Sequence, residues 1–482
     1  MSAAPVIIAG AGPAGLTAAA ELLAQTSLPV TVCEASDMVG GISRTIDHNG
    51  NRMDLGGHRF FSKSRRVNEF WDAHIGMAER PRLSRIYFLR RFFDYPVTMS
   101  ARTLRNMGLW RTLRAGLGFM AARLRPLPET SLENFYINRF GRPLYSMFFE
   151  DYTEKVWGVH PSRLGADWGS QRVKGLSVSA VLRDMWRKRF GHKDDAGAET
   201  SLIEHFRYPP LGPGQLWEAV ARDIVGEGAE LMMQTRVTEV HMDPATRRVT
   251  AVTLTDAEGR SCRRECSHLL SSMPLRHLVA AIRGVDIPEE VRRTAAELPY
   301  RDFITVGVLL PRESLAVDLP DTWIYIQDRG VRLGRIQVFN NWSPQLVRDP
   351  NNTVWLGLEY FCNEGDAMWE ASDGDFIARA VEELRKIGII REDAEPLDSV
   401  RVRVPKAYPA YHGAYARLGC VRQFLDTIPN LWCIGRNGQH RYNNMDHSML
   451  TAMKAADAIA AGTPGHTAVW QVNTEADYHE AN

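Results

Sequence analysis

Apolar runs and helical periodicity alternate from the start of the chain. Val6-Ile7-Ile8-Ala9 is short, β-branched and stopped at once by glycine, which predicts a buried strand. Leu16 to Leu23 is rich in alanine and leucine and predicts a helix, and Pro29-Val30-Thr31-Val32-Cys33 predicts a second strand ending at Glu34. Ile46 to Met53 alternates around Asn49-Gly50, the pattern of a hairpin. Leu104, Leu109, Leu113, Leu117 and Met120 keep roughly helical spacing, so Arg82 to Arg125 predicts one or two amphipathic helices. Ser131 to Tyr152 reads as helix behind a Thr130-Ser131-Leu132-Glu133 cap. A helix after Trp217 runs to Val225, a strand covers Glu230 to Val240, Arg247 to Thr255 pairs with it, and His268 to Leu275 is a buried strand breaking into a turn. Phe303 to Leu310, Thr322 to Gln327, Leu333 to Asn340 and Val354 to Phe361 predict four strands of a separate sheet. Phe376 to Ile387 predicts a helix that Gly388 ends, and Leu431-Trp432-Cys433-Ile434 a last strand.

The first strand and helix enclose Gly10-Ala11-Gly12-Pro13-Ala14-Gly15. Gly10 allows a tight turn, Gly12 lets backbone approach a pyrophosphate, and Gly15 lets helix and strand pack closely. The helix N-terminus offers N–H groups to phosphate, and Glu34, followed by Ala35, stands where a carboxylate binds a ribose hydroxyl. This context makes the stretch a dinucleotide site. A second glycine pair follows in Gly40-Gly41-Ile42-Ser43-Arg44-Thr45 and suits the diphosphate of an extended cofactor, FAD rather than NAD. Gly56-Gly57-His58 suggests backbone held against a flat ligand, or equally a turn with a satisfied histidine. Gly435-Arg436, after the last predicted strand, again aims N–H groups and a cation at phosphate or at the pyrimidine edge of a flavin. Asp446-His447-Ser448 looks like a metal or triad set, but adjacent residues make a helix N-cap the plainer reading, and no metal is expected.

Composition narrows the class. The 482 residues are 44% hydrophobic and 24% charged with net charge +1, which argues for a multidomain globular chain and against nucleic-acid binding. Six cysteines form no paired framework, and Cys262 with Cys266 has no matching pair, which suggests reduced thiols. The first apolar segment is the predicted strand, not a signal peptide, and no long apolar run predicts a membrane span, so a cytoplasmic location is expected. Arg82 to Arg125 holds ten arginines and one acid, Asp94. That basic face is either solvated surface or a peripheral contact with anionic lipid.

The Gly-Gly-x-Ser-Arg-Thr run at Gly40 resembles the flavoproteins that include amine oxidases, protoporphyrinogen oxidase, phytoene desaturases and UDP-galactopyranose mutase. Gly-Gly-His with Phe61-Ser62, Asp94-Tyr95-Pro96, Lys155-Val156-Trp157, Trp168 with Arg172-Val173, and Asn444-Met445-Asp446-His447-Ser448 resemble the eukaryotic-type UDP-galactopyranose mutase family. The resemblance implies an α/β fold: a Rossmann-type FAD-binding domain (1–80, 200–285 and 405–465), a mainly helical insertion (81–199), a second antiparallel-sheet domain (286–404) and a C-terminal tail (466–482). It implies FAD active in its reduced form, NADPH or NADH as reductant, and a UDP-hexose substrate whose pyranose and furanose rings interconvert after N5 attack on the anomeric carbon. Such furanose donors feed glycan assembly. His58 would lie near N5 and Val237 near adenine. Arg172 and Arg335, with Tyr325, Tyr408 and Tyr442, would bind the diphosphate. Tyr95, Thr98, Trp157, Trp168 and Trp342 would complete the substrate site. Thr98 stands where the family has a base-reading glutamine, Trp342 replaces a tyrosine, and Thr153 an asparagine, so base and sugar stay open. The oligomeric state stays open too. The alternative is an oxidoreductase of the same fold acting on an amine, a polyene or a nucleotide sugar.

Overall fold

In the computed structural model, which describes residues 4–95, 101–166 and 205–473, the strand Val6–Ala9 lies at the centre of a five-stranded parallel sheet. Its order is Leu431–Cys433, His268–Ser271, Val6–Ala9, Val30–Cys33, Glu230–Met232. The central strands are buried along their whole length, as a parallel sheet covered on both faces requires. On one face Ile8 and Leu270 pack with Leu16, Val220 and Ala452 of the helices Pro13–Gln25, Gly214–Gly226 and Met445–Ala461. On the other, Ile7 and Leu269 meet a four-stranded sheet (Ser261–Glu265, Val249–Thr255, Arg236–Met242, Ile282–Arg283) and the helix Leu418–Leu425. The single strand predicted over Glu230 to Val240 is two strands in two sheets, because Gln234, at φ 51°, turns the chain between them.

Among the described residues the antiparallel domain's sheet has seven strands, not four. In order they are Asp398–Pro409, Tyr300–Pro311, Thr353–Cys362, Arg335–Val338, Trp323–Ile326, Ser84–Phe88 and Arg91–Asp94. All neighbours are antiparallel except Trp323–Ile326 with Ser84–Phe88. The last two strands occupy the start of the arginine-rich segment read as helix, and among the described residues its helices are Ala101–Met107 and Leu109–Leu124. Their hairpin turns at Leu89-Arg90, both at positive φ without the glycine or asparagine that would mark it. Asp398–Pro409 also runs through the expected boundary between 404 and 405. Residues alternate across this sheet. Ile324, Ile326, Ile336, Val338, Leu356 and Leu358 pack beneath the helix Asp373–Ile387, which ends on a left-handed Gly388. Trp323, Tyr325, Arg335 and Glu359 point the other way, toward the parallel-sheet body.

The stretch from Ser131 to Tyr152 folds as short helices, Leu132–Phe140 and Arg142–Phe148, with Glu150–Trp157 following. Gly141 breaks the first from the second at φ 78°. Lys155 donates from Nζ to the carbonyls of Ile326, Asp328 and Leu333, tying this insertion to the sheet. Residues 466–473 are not a loose tail. The helix His466–Trp470 buries Val469 and Trp470, and His466 stacks on Trp432.

Candidate active site

Two glycine turns meet at the end of the central strand. The Gly40 N–H donates to the Ala11 carbonyl at 2.8 Å, and a Cβ on Gly12 would lie 3.7 Å from Gly41 Cα. A Cβ on Gly15 would sit 1.8 Å from the Gly10 carbonyl oxygen, so only glycine lets this helix approach its own strand. The helix starts at Pro13, whose missing N–H needs no partner there, and no side chain caps it. Its first amides, Ala14 among them, are left to face a ligand. Glu34 Oε2 accepts from the Ala11 N–H at 2.7 Å, and Oε1 from the Ser36 N–H and hydroxyl at 2.9 and 2.7 Å, so its carboxylate is held at the strand end beside Ala35. The Thr235 N–H donates to the Glu34 carbonyl, which brings buried Val237 alongside. Ser43 is buried, and Arg44 keeps its Nε buried without a hydrogen-bond partner.

The Gly56-Gly57 loop, the Gly435-Arg436 turn and the N-terminus of Met445–Ala461 surround a cavity against the polar face of the seven-stranded sheet. Its wall includes His58, Arg335, Tyr408, Arg436 and Tyr442, with Asn444, Met445 and Asp446 at the helix start. Asn444 is the N-cap, and its N–H donates to His447 Nδ1 at 3.2 Å. Ser448 Oγ donates back to the Asn444 carbonyl at 3.0 Å, so this cluster is a helix cap with its first residues on the cavity. His58 is half-buried with Nδ1 wholly buried and unpartnered. Burial, and after it the repulsion of Arg436, holds its imidazole down at about 3, hence neutral near pH 7. Orphaned nitrogens at Arg44 and His58, two backbone cradles and an acidic strand end fit an adenine dinucleotide carrying a flavin.

Arg335 organises the other wall. Tyr325 lies directly across one strand pair and Glu359 across the next, which explains the ten-residue spacing of Tyr325 and Arg335 as a hairpin register. Arg335 Nε pairs with Glu359 at 2.5 Å, and its Nη2 donates to the Tyr408 hydroxyl at 2.8 Å. Burial opposes its charge, but Glu359 and the nearby phenols more than offset this and hold it well above its ordinary range. Tyr408 stacks on Tyr442 at 5.5 Å, and the Arg436 guanidinium lies 4.7 Å from the Tyr442 ring centre. Tyr325 stacks on Trp323 and meets Tyr95 at a tilt, with ring centres 4.5 Å apart, and Trp157 meets Tyr442 edge-on. Trp342 is not at this site. It is fully buried, donates from Nε1 to the Thr322 carbonyl at 2.7 Å, and packs on Phe206 and Tyr208 behind Arg59. Thr98, Trp168 and Arg172 lie outside the described residues.

Sequence reasoning did not single out Arg59, Arg82 and Trp323, which line the cavity. Arg59 follows the Gly-Gly-His motif directly. Trp323, two residues before Tyr325, was findable from strand periodicity. With them, four guanidinium groups and one carboxylate, Asp446, stand on the wall. That balance favours an anion.

Asp54, at the foot of the Gly56-Gly57 loop, accepts from Tyr208 and from Thr45 at 3.0 Å. Burial pushes it up to about 7. Between its ordinary value of 3.8 and about 7 the folded chain keeps a proton the unfolded chain has released. Stability therefore falls as pH rises across that window and levels off above it, by an amount on the order of 4 kcal/mol. Asp54→Asn is expected to flatten this slope in chemical denaturation at pH 4.5 against pH 7.5.

The model of flavin-containing amine oxidoreductases matches residues 13–460. The chain belongs to that family. Membership makes the dinucleotide a flavin. Among family-like solved structures, the chain is similar to a reduced UDP-galactopyranose mutase, with TM-score 0.82 and 22% identity over 99% of both chains. A putative protoporphyrinogen oxidase from Exiguobacterium sp. 255-15 aligns with TM-score 0.70 and 16% identity, over 96% of this chain and 100% of that one. In sequence, the chain is 25% identical over 435 residues to a coproporphyrinogen III oxidase of Mycobacterium leprae (strain TN), covering 85% of this chain and 89% of the relative. These likenesses place the α/β fold within the family and leave the reaction to the site.

Proposed function

We propose that this flavoprotein is a nucleotide-sugar mutase that interconverts the pyranose and furanose forms of a UDP-hexose. The observation that carries the reading is the donor set on the cavity wall, Arg335 with Tyr408 and Tyr442, beside the Gly56-Gly57-His58 loop. A diphosphate carries two charges and several acceptor oxygens, and guanidinium forks and phenols satisfy such oxygens with charge-assisted bonds. The shared fold with a reduced UDP-galactopyranose mutase supports the same substrate class.

Bound in its reduced state, the flavin supplies a nucleophile toward an anomeric carbon, so no net oxidation of substrate is needed. Arg44, the paired glycine turns and Glu34 would hold the dinucleotide, and neutral His58 would offer one hydrogen bond through Nδ1. Arg335, kept rigid by Glu359, takes the negative charge that develops as the nucleoside diphosphate departs. Tyr325, Tyr408 and Tyr442 orient the same group, and Arg172 is the second phosphate-binding arginine of this reading. NADPH or NADH is the proposed reductant.

A second reading has specific support. The family description and the mycobacterial relative both indicate an oxidase, and arginines on the wall would also bind carboxylates. A thermal-shift comparison separates the two. UDP-hexoses and UDP are expected to raise the melting temperature of the yellow protein. Stabilisation by coproporphyrin or putrescine, with none by uridine nucleotides, would favour the oxidoreductase.

A further inference from the structure

The helix Leu109–Leu124 presents an apolar stripe to solvent. Leu109, Trp110, Leu113, Leu117, Met120 and Leu124 are between 52% and 80% exposed. At 3.6 residues per turn they fall within an arc of about 100°, so they form one continuous face. The opposite side is the docking side, with Ala115 and Ala122 buried against the helices Leu132–Phe140 and Arg142–Phe148. On the same helical projection Arg114 and Arg125 border one edge of the stripe, and Arg105 is exposed on the preceding helix. From Tyr95 to Pro128 the sequence holds no Asp or Glu.

We infer that this helix is a membrane-surface anchor that lies in the headgroup region of an anionic bilayer. An exposed leucine stripe with a tryptophan, edged by arginine, is the composition of an in-plane interfacial helix. Charge complementarity selects the occupant. A second copy of the chain docked stripe to stripe would bring Arg114 and Arg125 against their own counterparts, and the run from Tyr95 to Pro128 holds no Asp or Glu to separate them. Anionic headgroups meet those same arginines while the leucines enter the acyl boundary. The helix is joined to the catalytic body, since Asn106 donates to the Phe92 carbonyl and Arg91 to the carbonyls of Arg105 and Asn106. No helix among the described residues is long and apolar enough to cross a membrane, so the contact is peripheral. The inference does not rest on the reaction class.

The test is flotation of the intact holoenzyme with vesicles of phosphatidylcholine alone or containing phosphatidylglycerol, at low and high salt. At least a tenfold enrichment on the anionic vesicles at low salt is expected, falling as salt rises. Tryptophan emission should shift to the blue on binding, and Trp110→Phe should remove that shift. Leu113→Asp with Leu117→Asp should abolish flotation while leaving flavin absorbance and melting temperature unchanged, because both side chains are exposed. Equal partition onto both vesicles, or flotation unchanged in the double variant, would overturn the inference. So would a wild-type dimer that the double variant splits, with no vesicle binding by either.

Discussion

An Arg335→Ala variant is expected to lose nucleotide binding and stability together. Glu359 has no exposure and has two side-chain partners, Arg335 and the Gln337 amide at 2.8 Å. Removing one member of a buried pair leaves an uncompensated charge, which costs about 3–5 kcal/mol. Binding should weaken by about 2–5 kcal/mol if this desolvated arginine meets the diphosphate as proposed. The two effects separate in a double variant. Arg335→Met with Glu359→Gln removes both charges, keeps the volume close and retains an amide beside Gln337. It is expected to recover most of the melting temperature and none of the binding. Wild-type affinity for UDP-hexose in that double variant would remove Arg335 from the phosphate site.

The second large effect is expected at Gly15. Its Cβ in a Gly15→Ala variant would stand 1.8 Å from the Gly10 carbonyl oxygen and 3.3 Å from the Ile8 side chain. The carbonyl belongs to the turn itself, so the helix must move away from the strand. Overpacking of this kind costs about 1–3 kcal/mol. The larger consequence is for the ligand, because the shift opens the contact between the Gly12 and Gly41 turns that would hold the pyrophosphate. The variant should purify with under about a tenth of the wild-type flavin, since each 1.4 kcal/mol of lost binding is tenfold. Absorbance near the flavin bands, measured against total protein, checks it. A fully yellow Gly15→Ala protein would show that the cradle has been misplaced.

The parts of this molecule that were legible in the sequence are those governed by local rules. The strand, turn and helix at Val6, the Asn49-Gly50 hairpin, the Gly388 cap and the helix N-cap region around Asp446-His447-Ser448 each depend on residues within one turn of each other. The same holds for the glycine pairs, which were read as a diphosphate cradle from their place between a strand and a helix. What escaped depends on long-range pairing. Ser84–Phe88 is a strand because it adds to Trp323–Ile326, far along the chain, and its hairpin turn uses Leu89-Arg90 against their usual preference. Glu359, the partner that fixes Arg335, carries no motif of its own and becomes visible only through register. Trp342 shows the converse error. It stands at a position of the family pattern that faces substrate, yet its indole is fully buried among Phe206 and Tyr208 and serves as packing behind Arg59. Resemblance at a position does not fix which way the side chain points.

The central claim is that the cavity carries out an isomerisation of a nucleotide sugar and not an oxidation. The most direct measurement follows the ring size of UDP-hexose by chromatography under anaerobic conditions, with dithionite-reduced enzyme, oxidised enzyme and a count of reductant consumed. The reduced enzyme is expected to convert many equivalents of substrate without consuming further reductant, while the oxidised enzyme stays inactive. Consumption of one acceptor per product, or equal turnover by the oxidised enzyme, would contradict the mutase and return the chain to the oxidoreductases of its family.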